Sequence, residues 1–156
     1  MLGSLQQGFD DVSTAESNSM PAQGLLGRRS LKGKVALITG AAHRIGAQVA
    51  RLLHAEGADV AIHYRSSRDA AEALKASLER DRPESVRLLR ADLLDTAALP
   101  RLIADVAGFR GRLDILVNNA SSFYPTPLAS ASEQDWEALI GSNLKGPFFL
   151  TQAAAG

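Results

Sequence analysis

From Lys32 onward, apolar and polar positions follow two alternating periods along the chain. "KVALIT" (34–39) is a short, β-branched apolar run of the kind found in strands covered on both faces. Ile45, Val49, Leu52 and Leu53 then recur at helical spacing, and Gly57 stands where that helix should end. "ADVAIHY" (58–64) predicts a second strand, and "SRDAAEALKASLER" (67–80) a second helix with Ala70, Leu74 and Leu78 on one face. "SVRLLRA" (85–91) predicts a third strand. Leu99, Leu102, Ile103 and Val106 predict a third helix, with Pro100 in its first turn, where a missing N–H is tolerated. "LDILVN" (113–118) predicts a fourth strand. Ser130 precedes Glu133 by three residues, a capping-box spacing that predicts a helix start there, with Trp136, Leu139 and Ile140 turned inward. A last apolar helix is expected over 143–155.

Strands alternating with helices at this spacing predict an α/β fold: a Rossmann-type, doubly wound parallel sheet in three α/β/α layers, truncated after about four strands. Residues 32–156 are then the N-terminal part of a dinucleotide-binding domain. Ahead of them, residues 1–31 are polar and include Asp10, Asp11 and Glu16. Such a segment buries too little to offset its ordering entropy, so a disordered leader is expected, with Met20 an alternative start. It has neither the apolar core of a signal peptide nor the acid-poor character of a transit peptide.

Composition narrows the possible functions. Seventeen basic residues balance seventeen acidic ones, which leaves no electrostatic footprint for nucleic acid or an anionic membrane. There is no cysteine, so disulfides and thiolate chemistry are excluded, and a cytoplasmic location is expected. No apolar run reaches the roughly 18 residues that span a bilayer. His54 and His63 have no partners at metal-ligand spacing and read as structural; no metal site is expected.

Parallel sheets of this kind place ligands at the carboxyl ends of their strands. The first strand ends in "TGAAHRIG" (39–46). Gly40 permits a tight turn, Gly46 lets the helix approach the sheet, and the helix start offers N–H groups to a pyrophosphate. Arg44 stands where the usual fingerprint has another glycine, and a guanidinium gains most from bidentate phosphate contact. His43 could face the same ligand, with no role assigned. The second strand ends in "HYRSS" (63–67), where an acid would address a ribose 2′-hydroxyl. Arg65, Ser66 and Ser67 suit a 2′-phosphate instead, which points to NADP over NAD. Asp92 either accepts from an adenine amino group or caps the helix after it. After the fourth strand comes "NNASSFYPTP" (118–127), dense in amides, hydroxyls and rings.

Thr39–Gly46, Asp92, "NNA" at 118–120 and Asn143 in "SNLKGPFF" together resemble the short-chain dehydrogenase/reductase family, over nearly all of Leu31–Gly156. The resemblance implies hydride transfer from NADPH, with cofactor contacts at Thr39, Gly40, Arg44, Ile45, Gly46, Tyr64, Arg65, Ser66, Asp92, Leu93, Asn119, Ala120 and Ser121. "TGAAHRIG", "HYRSS" and "NNASSFYPTPL" resemble the pteridine reductases in particular. That implies a pterin or folate substrate held by Arg44, Ser121 and Phe123, the last stacking on the pterin ring, while Tyr124 reads as rim or packing. The family's catalytic tyrosine, with a lysine four residues later, has no counterpart in these 156 residues; Tyr64 and Tyr124 lack such a lysine. Asn143 is implied to support a proton relay. The chain by itself is therefore expected to be inactive and poorly soluble, with strand four at the sheet edge and an exposed apolar helix. Full-length relatives are expected to be homotetramers. Two other readings stand beside this one: a non-catalytic NADP-binding fragment that associates with a full-length relative, and a reductase of 3-oxoacyl-type carbonyls.

Overall fold

The computed structural model describes residues 30–156. The expected leader, apart from Ser30 and Leu31, lies outside the described residues, as does Met20. Ser30–Gly33 form a turn whose Leu31 N–H donates to the Glu56 carbonyl at 3.0 Å.

Four parallel strands, β1 (Val35–Ile38), β2 (Asp59–Tyr64), β3 (Val86–Arg90) and β4 (Ile115–Val117), lie in the order β3-β2-β1-β4. This is the arrangement expected for a Rossmann-type sheet: the chain winds outward from β1 to β3, then crosses back to place β4 on the other side. The registers Ile38↔Ile62 and Ile38↔Val117 bring the carboxyl ends of β1 and β4 level, with β2 running two residues further to Tyr64. The cofactor-scale crevice of such sheets opens at this reversal.

Side-chain alternation sorts the core into two layers. Ala36, Ile38, Val60 and Ile62 face α1 (Arg44–Ala55) and α2 (Arg68–Glu79), meeting Ala50, Ala71, Leu74 and Leu78. Val35, Leu37, Ala61 and Leu89 face α3 (Leu99–Arg110) and α5 (Gly146–Ala155), meeting Leu99, Leu102, Val106 and Leu150. Leu37, Ile38, Ile62, Leu99 and Leu150 are completely buried, each stabilising by about 1.5–3 kcal/mol relative to exposure. At the opposite end of the sheet, Asp114 accepts from the Val35 N–H at 2.9 Å and pairs with Arg112 and Lys34. It fixes where β4 joins β1.

The expected strands and helices all form, shorter by a residue or two at their ends, and Pro100 sits in the first turn of α3 as predicted. Among the described residues β4 pairs with β1 alone, and Phe148 is exposed. Three local expectations are corrected. The capping box of α4 (Glu133–Ile140) joins Ser132 to Asp135, not Ser130 to Glu133: Ser132 Oγ accepts from the Asp135 N–H, and Asp135 accepts from the Ser132 N–H. Ser130 instead belongs to a turn closed on the Pro127 carbonyl. Trp136 points outward and is 63% exposed, because no residue of α4 is fully buried. The last helix does not run unbroken from 143. A π-helical turn, Gly141–Lys145, comes first, in which Ser142 Oγ donates back to the Ala138 carbonyl at 2.9 Å. Such turns insert an extra residue and recur beside functional sites.

Candidate cofactor-binding site

The carboxyl end of β1 is joined to that of β4 through one hydroxyl. Thr39 Oγ1 accepts from the Asn119 and Ala120 N–H groups, both at 2.9 Å, and donates to the Val117 carbonyl at 3.3 Å. Asn119 returns the link: its Nδ2 donates to the carbonyls of Thr39 and Gly40 at 2.8 and 3.2 Å. Gly40 turns the chain at φ 61°, and a Cβ there would sit 2.9 Å from Ala120 Cα. Gly46 is packed more tightly still. A Cβ on it would lie 2.5 Å from Asn119 Nδ2 and 2.6 Å from the Gly40 carbonyl oxygen, so only glycine lets α1 start so close to the sheet.

Above this seam opens a cleft of about 730 Å³, within the roughly 300–1,000 Å³ of small-molecule sites. Of the residues implied for the cofactor, Gly40, Arg44, Ile45, Gly46, Tyr64, Arg65, Ser66, Asp92, Leu93, Asn119, Ala120 and Ser121 line it. Thr39 does not. It is 1% exposed and stands behind the cleft wall, where its hydroxyl is taken up by the seam. Phe123 is not in the lining either: the loop carries it outward, and it is 88% exposed. Asn143 is also outside the lining. Both ends of its amide bind the backbone of Ser122, accepting from N–H at 3.0 Å and donating to C=O at 2.8 Å. The π-helical turn thereby clamps the loop that bears Ser121 and Phe123.

The donor set suits a polyanion. Arg44 and Arg65 both line the cleft, and Asp92 is the single carboxylate in the lining. The start of α1 carries no side-chain cap and no acid in its first turn, so its free N–H groups and positive dipole end are available to an anion. Arg44 opens that helix in a left-handed conformation, φ 50°. Among the described residues the other non-glycine with positive φ is Glu84, in the α2–β3 turn. At the β2 end, Arg90 Nε donates to the Arg65 carbonyl at 3.2 Å and steadies the loop. Asp92 does not cap the helical turn that follows, Thr96–Ala98, whose N-cap position is Asp95; its Oδ1 accepts from the Leu94 N–H at 3.0 Å in a local turn, and the residue faces the cleft. A dinucleotide with an added phosphate fits this cationic, hydroxyl-rich lining.

Residue-by-residue reading of the sequence did not assign Ala42, Leu94, Ser122 or Ser142 to the cleft, although all line it. Ala42, Ser122 and Ser142 lie within the quoted stretches without holding a defining position in them; turn geometry brings all four to the cleft. His63 lines it too, and is treated below. Tyr124's hydroxyl is pushed above its ordinary pKa by desolvation and by donating to Asp135, the opposite of the lowering that a short-chain reductase's tyrosine needs.

With this geometry in place, sequence comparison decides the family: the profile of short chain dehydrogenases matches residues 34–156. The chain belongs to the short-chain dehydrogenase family. Among curated relatives, pteridine reductase 1 of Leishmania tarentolae is 40% identical over 78% of this chain and 53% of its own length. A 3-oxoacyl-[acyl-carrier-protein] reductase of Staphylococcus aureus is 36% identical over 78% of this chain and 49% of that protein. Of solved structures, a blue fluorescent protein from a metagenomic library, in complex with NADPH, superimposes with a TM-score of 0.77 at 38% identity, covering 81% of this chain and 51% of that one. The chain therefore spans about half the length of the relatives it matches. No helix of the described residues is long and apolar enough to cross a membrane.

Proposed function

We propose that this chain carries the NADP(H) site and substrate loop of a short-chain reductase acting on pterins or folates. One observation carries the cofactor reading. Arg44, held in a left-handed conformation at the uncapped start of α1, and Arg65, at the end of β2, line one cleft. The first addresses the pyrophosphate, and the second, with Ser66, the 2′-phosphate. Gly40, Gly46, Tyr64, Asp92 and Asn119–Ser121 supply the remaining wall. The bound dinucleotide supplies the hydride, and these residues bind and orient it.

The substrate reading rests on the loop after β4. Ser121 faces the cleft while Phe123 stands exposed two residues later. A phenyl ring with 88% exposure is not serving a core, and it is free to cover a flat heteroaromatic ring. The name of the Leishmania tarentolae relative favours the same substrate class. A second reading, reduction of a 3-oxoacyl carbonyl, is favoured by the Staphylococcus aureus relative and by the absence of Phe123 from the cleft lining. In the whole protein, Phe123→Ala separates them: reduction of dihydrobiopterin should fall at least about tenfold, the loss of one ring contact of about 1.4 kcal/mol, while a 3-oxoacyl substrate is spared. The reverse pattern favours the carbonyl reading. The 156 residues alone are proposed to bind NADPH without oxidising it. Cytoplasmic placement and a homotetrameric assembly of the whole protein belong to the same proposal.

A further inference from the structure

Two histidines line the cleft without a task in the cofactor reading, the exposed His43 and the buried His63. His63 is 2% exposed, lies in β2 and lines the cleft. The Gly40 N–H donates to its Nδ1 at 3.2 Å. A backbone amide can only donate, so Nδ1 is the bare nitrogen and the proton sits on Nε2. Nε2 then donates to the Ala91 carbonyl, also at 3.2 Å. The neutral ring is a two-ended strut. One end holds the turn that leads to Arg44 and Gly46, and the other holds the end of β3 just before Asp92.

The surrounding backbone strengthens the brace. The Ala41 N–H donates to the His63 carbonyl at 3.0 Å, and the Ala91 N–H donates to the Tyr64 carbonyl at 3.2 Å. Arg65, two residues beyond His63, is itself held through its carbonyl by Arg90. Burial keeps the imidazole below its ordinary pKa, against a smaller opposing pull from the bond to Ala91 and the nearby Asp92 carboxylate, so both hydrogen bonds persist at neutral pH. His54 is the contrast. Also buried, it hydrogen-bonds Ser85 at 2.7 Å between α1 and the start of β3, outside the cleft.

We propose that His63 is a positioning residue of the cleft: its ring fixes the separation between the Gly40–Gly46 turn and the Arg65–Asp92 rim, so that one ligand can bridge both. This rests on the NADP(H) reading and adds to it a residue that touches neither phosphate. A strut between two subsites matters only to a ligand that spans them.

The test compares two probes on the full chain at pH 7.5, by titration calorimetry or NMR. NADPH spans both subsites, and adenosine 2′-monophosphate reaches only the Arg65–Asp92 rim. His63→Leu leaves the Gly40 N–H and the Ala91 carbonyl unpaired. It should weaken NADPH at least about tenfold, in keeping with roughly 1–3 kcal/mol for orphaned polar groups, and leave the nucleotide within about twofold. His63→Asn, whose amide oxygen can again accept from Gly40, should recover part of the NADPH loss. Should the leucine variant not fold, the asparagine variant is read alone, with the same requirement that NADPH suffer more than the nucleotide. Equal weakening of both probes, or no loss of NADPH affinity, overturns the proposal. Failure of the unsubstituted chain to bind NADPH overturns the cofactor reading itself, a separate result.

Discussion

Arg44 occupies a left-handed backbone, φ 50°, which costs a residue with a side chain roughly 1–2 kcal/mol relative to glycine. Glycine would relieve that strain, and glycine is what the usual fingerprint of this turn carries. The guanidinium is thus retained at the expense of local stability, on the wall of the cleft. Substitution should move stability and binding in opposite directions. Arg44→Gly is expected to leave the unfolding free energy unchanged or raise it by up to about 1 kcal/mol, after the entropy that glycine gains in the unfolded chain. The same change should weaken NADPH at least about tenfold, since a charge-assisted phosphate contact is worth about 1.5–3 kcal/mol. Denaturant unfolding and a binding titration on one preparation check both signs, and a variant that loses stability while keeping its affinity would refute this account of Arg44.

Among the elements, two glycines in helices make opposite predictions. Gly46 lies in α1 against Asn119 and the Gly40 carbonyl, whereas Gly108 in α3 has nothing within 4 Å of an added Cβ. Gly108→Ala should stabilise by about 0.5–1 kcal/mol through helix propensity. Gly46→Ala should instead cost about 1–3 kcal/mol, because backbone atoms must shift, and thermal unfolding of the two variants separates the cases. The four strands and first three helices were legible because each carries several apolar residues at one period, enough to fix both type and face. The α4 region was not. It buries no residue completely, so Trp136 gave an inward signal that no packing supports. Its cap also had two serines to choose from, and Pro127 claimed Ser130 for a turn. The π-helical turn escaped notice because it depends on tertiary contact: a Cβ at Gly146 would come within 2.8 Å of the Leu93 carbonyl oxygen. For the cleft, the motif residues were legible as a set, while Thr39's place behind the wall and the bracing role of His63 come from hydrogen bonds between segments distant in sequence.

For the whole molecule, two kinds of group tie stability to pH. Burial lowers the folded-state pKa of His63 below its ordinary 6.5, so in mild acid the unfolded chain takes up a proton that the folded chain refuses. That contribution is fully present above pH 6.5 and is lost as the pH falls from there toward the folded value. Asp114, hydrogen-bonded by Arg112 and by the Val35 N–H, and Asp135, hydrogen-bonded by Ser132, both lie below their ordinary 3.8. Their contribution is present above pH 3.8 and disappears as the pH drops below it. Urea midpoints from pH 8 to pH 3 should therefore fall in two stages, and His63→Asn should remove the upper one; a flat profile between pH 7 and 5 would contradict the buried neutral imidazole. The protein's larger identity turns on the cleft, which joins a strained arginine at a helix start to an arginine and serine at the next strand end. The most direct measurement is the affinity of the full chain for NADPH against NADH, read from the fluorescence of the reduced nicotinamide on titration. NADPH should bind at least about tenfold more tightly, the worth of one charge-assisted phosphate contact, and Arg65→Ala should erase the difference. Equal affinity for the two, or a preference for NADH, would contradict the account.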